Sequence, residues 1–166
     1  PYETVSTYTI GAITTPPTTG SGATFYRNTF RDDEWAEVRF EYRQTNAGSA
    51  GSGDYLFPLP SGLTIDYTRV GPTLSSATPQ CCVGQGILNI NGTYFNAQII
   101  AINTGSYINK LYLLYSNDTT AVTSWGSSGG SLANATVALS FTARIPINEW
   151  TGSGSNFGPG ASLEYA

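Results

Sequence analysis

Between Val137 and Ile147 the apolar side chains Val137, Leu139, Phe141, Ala143, Ile145 and Ile147 fall on one parity, while Ser140, Thr142 and Arg144 fall on the other. Successive side chains of extended backbone point to opposite faces, so this two-residue repeat predicts a half-buried strand. Pro146 has no amide hydrogen to give to a ladder. The strand is therefore expected to reach a sheet edge or leave the sheet there, with Trp150 as an apolar plug just beyond. Val38, Phe40 and Tyr42 alternate with Glu37, Arg39, Glu41 and Arg43, which predicts a second strand with one buried and one charged face.

Asn91-Gly92 separates two further apolar runs, Ile87 to Ile90 and Thr93 to Ile100. Both turn residues tolerate positive φ, so a tight type I′ hairpin is expected. Lys110 to Tyr115 reads as another strand, bounded by the polar segments 103–106 and 116–118. No stretch of ten or more residues keeps a helical apolar period. The pattern as a whole predicts an all-β chain of about eight to ten short strands separated by Gly, Ser, Thr and Pro turns.

Three low-complexity pieces interrupt the strands: Thr14 to Gly22, Asn46 to Gly53 and Trp125 to Ser131. Their lack of apolar content predicts surface loops inside one domain, 1–166, not linkers between domains. Thr151 to Ala166 is Gly-rich without a strand pattern, and is expected to need a neighbouring subunit to order it. The 166 residues are 40% hydrophobic, enough for one buried core, and the 13% aromatic content separates the chain from disordered sequences.

Charge narrows the partners. The net charge is -4 and Lys110 is the only lysine, so the clustered cations that hold nucleic acid are missing. No apolar run approaches the roughly 20 residues of a membrane-spanning helix. With no His and only the adjacent Cys81 and Cys82, neither a metal site nor any cofactor is expected. For the cysteines three readings stand: two small, partly buried residues, a bridge between neighbouring subunits, or a strained vicinal disulfide.

Catalysis has little to build on, because the usual triads and histidine bases are missing. Asp32, Asp33 and Glu34 are consecutive, whereas a glycosidase acid and base must be separated across a cleft, so they read as a solvated turn. Residues 27–43 hold nine of the eighteen charged side chains. Of these, Glu37, Arg39, Glu41 and Arg43 point one way with alternating sign. They form either a self-compensating exposed face or a self-complementary seam between identical subunits. Asn103, Tyr107, Tyr112, Tyr115, Asn117, Asp118 and Trp125 combine flat apolar rings with hydrogen-bonding groups, and would suit a glycan if their loops converge; otherwise the rings belong to the core. Sequons at Asn91, Asn117 and Asn134 are expected by chance in a chain so rich in Asn and Thr.

The closing Ile145-Pro146-Ile147 and Trp150 resemble the end of a recurrent C-terminal domain of tailed-bacteriophage virion surface proteins. The likeness continues through Asp54-Tyr55-Leu56-Phe57-Pro58-Leu59-Pro60-Ser61-Gly62-Leu63-Thr64-Ile65-Asp66, through Thr7-Tyr8-Thr9-Ile10-Gly11 and through Phe25-Tyr26-Arg27, spanning most of the chain. It departs at Arg31-Asp32-Asp33-Glu34, more acidic than the Arg-Val-Gly-Asp kind of turn, and at Glu149, where Gly is usual. The resemblance implies a jelly-roll-like antiparallel β-sandwich, a homotrimer, and a non-enzymatic role on the virion surface. A fibre or appendage domain for host attachment is the first expectation, with a fibre stalk and a host-surface glycan as partners. A capsid decoration protein is the second, and a secreted carbohydrate-binding module the third.

Overall fold

The computed structural model describes residues 3–6, 8–70, 80–128 and 130–151. The Gly-rich tail beyond Thr151, and Thr7 of the first resembling segment, lie outside the described residues. Ten strands are described: β1 (Glu3–Val5), β2 (Gly11–Ala12), β3 (Thr24–Asp32), β4 (Trp35–Gln44), β5 (Tyr55–Pro58), β6 (Gln80–Ile90), β7 (Thr93–Ile102), β8 (Lys110–Asn117), β9 (Thr120–Ser124) and β10 (Val137–Pro146). Among the described residues the only helical pieces are 3-10 turns at Gly105–Tyr107 and Asn148–Trp150. The chain is all-β.

All strand pairs are antiparallel, in the order β1-β3-β4-β10-β6-β7-β8-β5-β2, with β9 also on β8. The sheet curls on itself. Along the ladder Phe57 of β5 is four strands from β10, yet its ring meets Phe141 edge-on at 5.2 Å and Phe40 of β4 at 5.8 Å. Phe40 and Phe141 stack at 4.7 Å in the middle of this core. The alternation read from the sequence sets the orientation: Ala36, Val38, Phe40 and Tyr42 of β4, and Val137, Leu139, Phe141, Ala143 and Ile145 of β10, all face inward. Each large side chain sequestered there stabilises the fold by about 1.5–3 kcal/mol relative to exposure. A smaller cluster of Leu56, Ile100 and Tyr112 lies apart from this core, with Ile13 and Tyr107 packed on it.

Pro146 shows how a central strand accommodates a proline. β10 pairs with β6 only as far as Ala143↔Gly84, whereas on its other side it continues along β4 to Pro146↔Trp35. The missing amide therefore falls where one neighbour has already ended. Beyond it Ile147 bridges to Ile65, and the Pro146 carbonyl accepts from the Asp66 amide at 2.9 Å. Trp150 is then buried in the core. At the expected hairpin, Asn91 and Gly92 have φ of 50° and 88°, as a type I′ turn requires.

The three low-complexity segments are not independent loops. Thr15 and Thr18 pair with Ser52 and Ser49, and Asp54 pairs with Gly126, so backbone bonds knit the segments together. A Cβ on Gly20 would stand 1.7 Å from the Asn46 carbonyl oxygen, so this approach needs glycine. Gln44, fully buried, fastens the assembly. Its amide donates to the carbonyls of Leu132 (2.9 Å) and Asn134 (2.6 Å), and its oxygen accepts from Tyr42 Oη (2.5 Å) and the Gly20 amide (3.1 Å). Burial, with a smaller contribution from Tyr55, pushes the Tyr42 hydroxyl up to about 12, so it stays a donor.

Candidate functional site

The rings and amides suggested by the sequence as a sugar site do not converge. Trp125 is fully buried, stacked on Phe57 at 6.0 Å, with its indole donating to the Gly130 carbonyl at 2.8 Å. Tyr115 is buried against Phe95 at 5.1 Å, and Tyr112 belongs to the smaller cluster. Neither Trp125 nor Tyr115 offers a face to a ligand. Tyr107 is half-buried and donates to Asp54 Oδ2 at 2.6 Å, while Ser124 donates to Asp54 Oδ1 at 2.7 Å. Burial, then this hydrogen bond and the Asp54 charge, raise the Tyr107 hydroxyl well above its ordinary value. Asn103 is exposed near the start of β8 and Asn117 ends it, so the seven steps of that strand hold the two apart by about 24 Å.

The charged row of β4 divides in two. Toward the β3–β4 turn, charges are matched within the chain: Arg39 with Glu37 at 3.3 Å, Arg144 with Asp32 at 3.1 Å, and Arg69 with Glu34 at 2.5 Å. The guanidiniums of Arg69 and Arg144 also lie 5.6 and 5.2 Å from the Trp35 ring centre, and that of Arg31 lies 5.0 Å from Trp150. Asp32 and Glu34 are thus ion-paired, and Asp33 turns the chain with φ of 56°. Glu149 accepts from the Thr64 amide (2.7 Å) and hydroxyl (2.6 Å). Burial pushes its carboxyl upward, but these bonds outweigh it and hold it below the usual range.

Farther along β4, Glu41 and Arg43 make no ion pair among the described residues, and they border an open groove of ≈ 880 Å³. Register builds this groove in two rows across five strands. One runs Tyr26, Glu41, Ser140, Ile87, Asn96; the next runs Thr24, Arg43, Ala138, Asn89, Tyr94. Small side chains of β10, Ala138 and Ser140, make the floor, and larger ones on either side make the walls. Tyr26, Ile87 and Tyr94 are 37, 54 and 68% exposed, and they are three of the five large apolar side chains left exposed among the described residues. A neighbouring hollow of ≈ 610 Å³ shares Ile87 and Tyr94 and extends over Asn96, Asn117 and Asp118. Two residues of the suggested sugar set thus reach the groove's margin.

Sequence reasoning missed Tyr26, Ile87, Asn89 and Tyr94. The available signal was a break in parity: β3 turns Arg27 and Thr29 inward and Tyr26 outward, and β6 puts Ile87 between the polar Gln85 and Asn89. Inside, Arg27 Nη1 donates to the Pro58 carbonyl at 2.9 Å.

Cys81 and Cys82 are free thiols on β6, where a bulge shifts the register between Cys82 and Gly84. Cys81 is half-buried and Cys82 exposed, donating weakly to the Cys82 and Gly84 carbonyls respectively. Burial and the adjacent Cys82 push the Cys81 thiol up, which keeps it protonated and slow to react. Comparison with protein-family models, curated proteins and solved structures finds no match to this chain.

Proposed function

We propose that this chain is a non-enzymatic surface domain of a tailed-bacteriophage virion, a jelly-roll-like β-sandwich assembled as a homotrimer and acting in host attachment on a fibre or appendage. The observation that carries this reading is the meeting of the two stretches that bear the phage resemblance. Ile65 bridges to Ile147, the Asn148 amide donates to the Thr64 carbonyl at 3.0 Å, and Glu149 binds Thr64. Residues 64–66 and 146–149 are therefore one joint, which supports reading the two resembling stretches as parts of a single motif. Glu149, the departure from the usual Gly, finds a role in that joint and so does not weaken the likeness.

The subunit seam is proposed along Glu37 and Arg39, because the other end of the β4 row borders the groove, with Cys81 and Cys82 as further candidate interface residues. Light scattering of the purified chain should give about three times 17.6 kDa. A monomer at micromolar concentration would remove the trimer. Imaging intact particles with the protein labelled tests location: label on fibres or appendages supports attachment, label over the capsid lattice supports the decoration alternative, and unlabelled particles overturn both.

A further inference from the structure

We propose that the groove over β10 is a binding site for an extended, neutral oligosaccharide, with Tyr26 and Tyr94 as the platforms at its two sides. The proposal takes its biological meaning from the attachment reading, but its chemistry belongs to the groove alone. Tyr26 lies on β3 and Tyr94 on β7, four inter-strand steps apart, or about 19 Å. That span is too wide for both rings to hold one sugar, and suits a chain of several.

The lining explains the choice of ligand. A pyranose presents an apolar C–H face and a rim of hydroxyls, and so needs flat apolar surfaces alternating with planar hydrogen-bonding groups. Glu41 and Ser140 in the groove and Asn96 in the adjoining hollow have no side-chain hydrogen bond of their own among the described residues, and neither does Arg43, so all four can serve hydroxyls. Asn89 already accepts from the Gly92 amide at 2.9 Å, which fixes its side chain with the amino group to spare. Arg43 is the groove's one cation and stands beside Glu41, so a polyanion gains little there. A second protein is a poorer fit. Three apolar side chains separated by polar ones do not make the continuous apolar centre of a stable interface, which buries about 800 Å² per partner.

The test uses the intact chain against an array of neutral, amino-sugar and acidic oligosaccharides. Maltotetraose, cellotetraose and tetraacetylchitotetraose are then titrated by nuclear magnetic resonance. Binding to at least one neutral oligosaccharide is expected, with shifts centred on Tyr26, Ile87, Asn89 and Tyr94. Tyr26→Ala and Tyr94→Ala should each weaken it by about tenfold or more without lowering the melting temperature. Ile108→Ala, which removes an exposed side chain outside the groove, should leave binding unchanged. No binding at millimolar sugar overturns the proposal, and so does binding that ignores both tyrosines. Loss of oligomerisation in Tyr94→Ala would assign the groove to a second copy of the chain instead. Sugar binding by a protein missing from virions would sink the attachment reading alone, whereas virion-borne protein that binds no sugar would sink the groove alone.

Discussion

The two ends of the β3–β4 pair share strands, alternation and exposure, yet they solve opposite problems. At the turn end, Asp32, Glu34, Glu37, Arg39, Arg69 and Arg144 are matched with one another, and three guanidiniums cover the rings of Trp35 and Trp150. At the other end, Glu41 and Arg43 make no ion pair among the described residues, and Tyr26, Ile87 and Tyr94 are exposed. The difference teaches that a charged strand face is not one surface. Where aromatic and charged groups satisfy each other locally they close the fold, and where they do not they remain available to a ligand.

Breaking the closed end should have the largest effect. Trp150→Ala removes a buried indole and is expected to cost about 3–5 kcal/mol, measured by denaturant unfolding. A parent-like midpoint would show that the ring is not part of the core. Glu149→Gln should cost about 1 kcal/mol at neutral pH, discounted for its exposure. Its folded-state pKa lies below the ordinary value, so its contribution is complete above the unfolded pKa and is lost as pH falls through the folded one. The gap between parent and variant should therefore close in acid; a gap constant down to pH 2 would mean that the charge is irrelevant.

Smaller effects sharpen the comparison. Within one subunit, Arg39→Ala removes an exposed partner of Glu37 and should lower stability by about 0.2–1 kcal/mol, shrinking in high salt. At the open end Tyr94→Ala should stay within about 0.5 kcal/mol of the parent by thermal melting. If it were instead the more damaging of these two, the open end would be structural and the contrast would fail.

Strands were legible wherever side-chain parity carried the information, as at Val38-Phe40-Tyr42 and Val137 to Ile147, and the Asn91-Gly92 turn announced itself through backbone preference. The knitting of 14–22 to 46–53 was not legible, because it uses main-chain groups that every residue owns. Trp125 misled for a related reason: its Gly- and Ser-rich surroundings suggest solvent, yet the segment carries the ring back onto Phe57. Single strands show only that Tyr26 and Ile87 break parity; they do not show the groove. Tyr26 and Tyr94 become neighbours of a common trough only after β10, from the far end of the sequence, is inserted between β4 and β6.

The outermost strands of the same ladder are short, with β1 of three residues and β2 of two. Free sheet edges invite copies to add strand to strand, and such brief ones offer too few hydrogen bonds to hold a neighbour. β9 is the exception: five residues without a charge, carrying Val122 at 63% exposure. In a concentrated preparation, strand addition along Thr120–Ser124 is the expected route of association, and Val122→Lys should reduce it, read as turbidity.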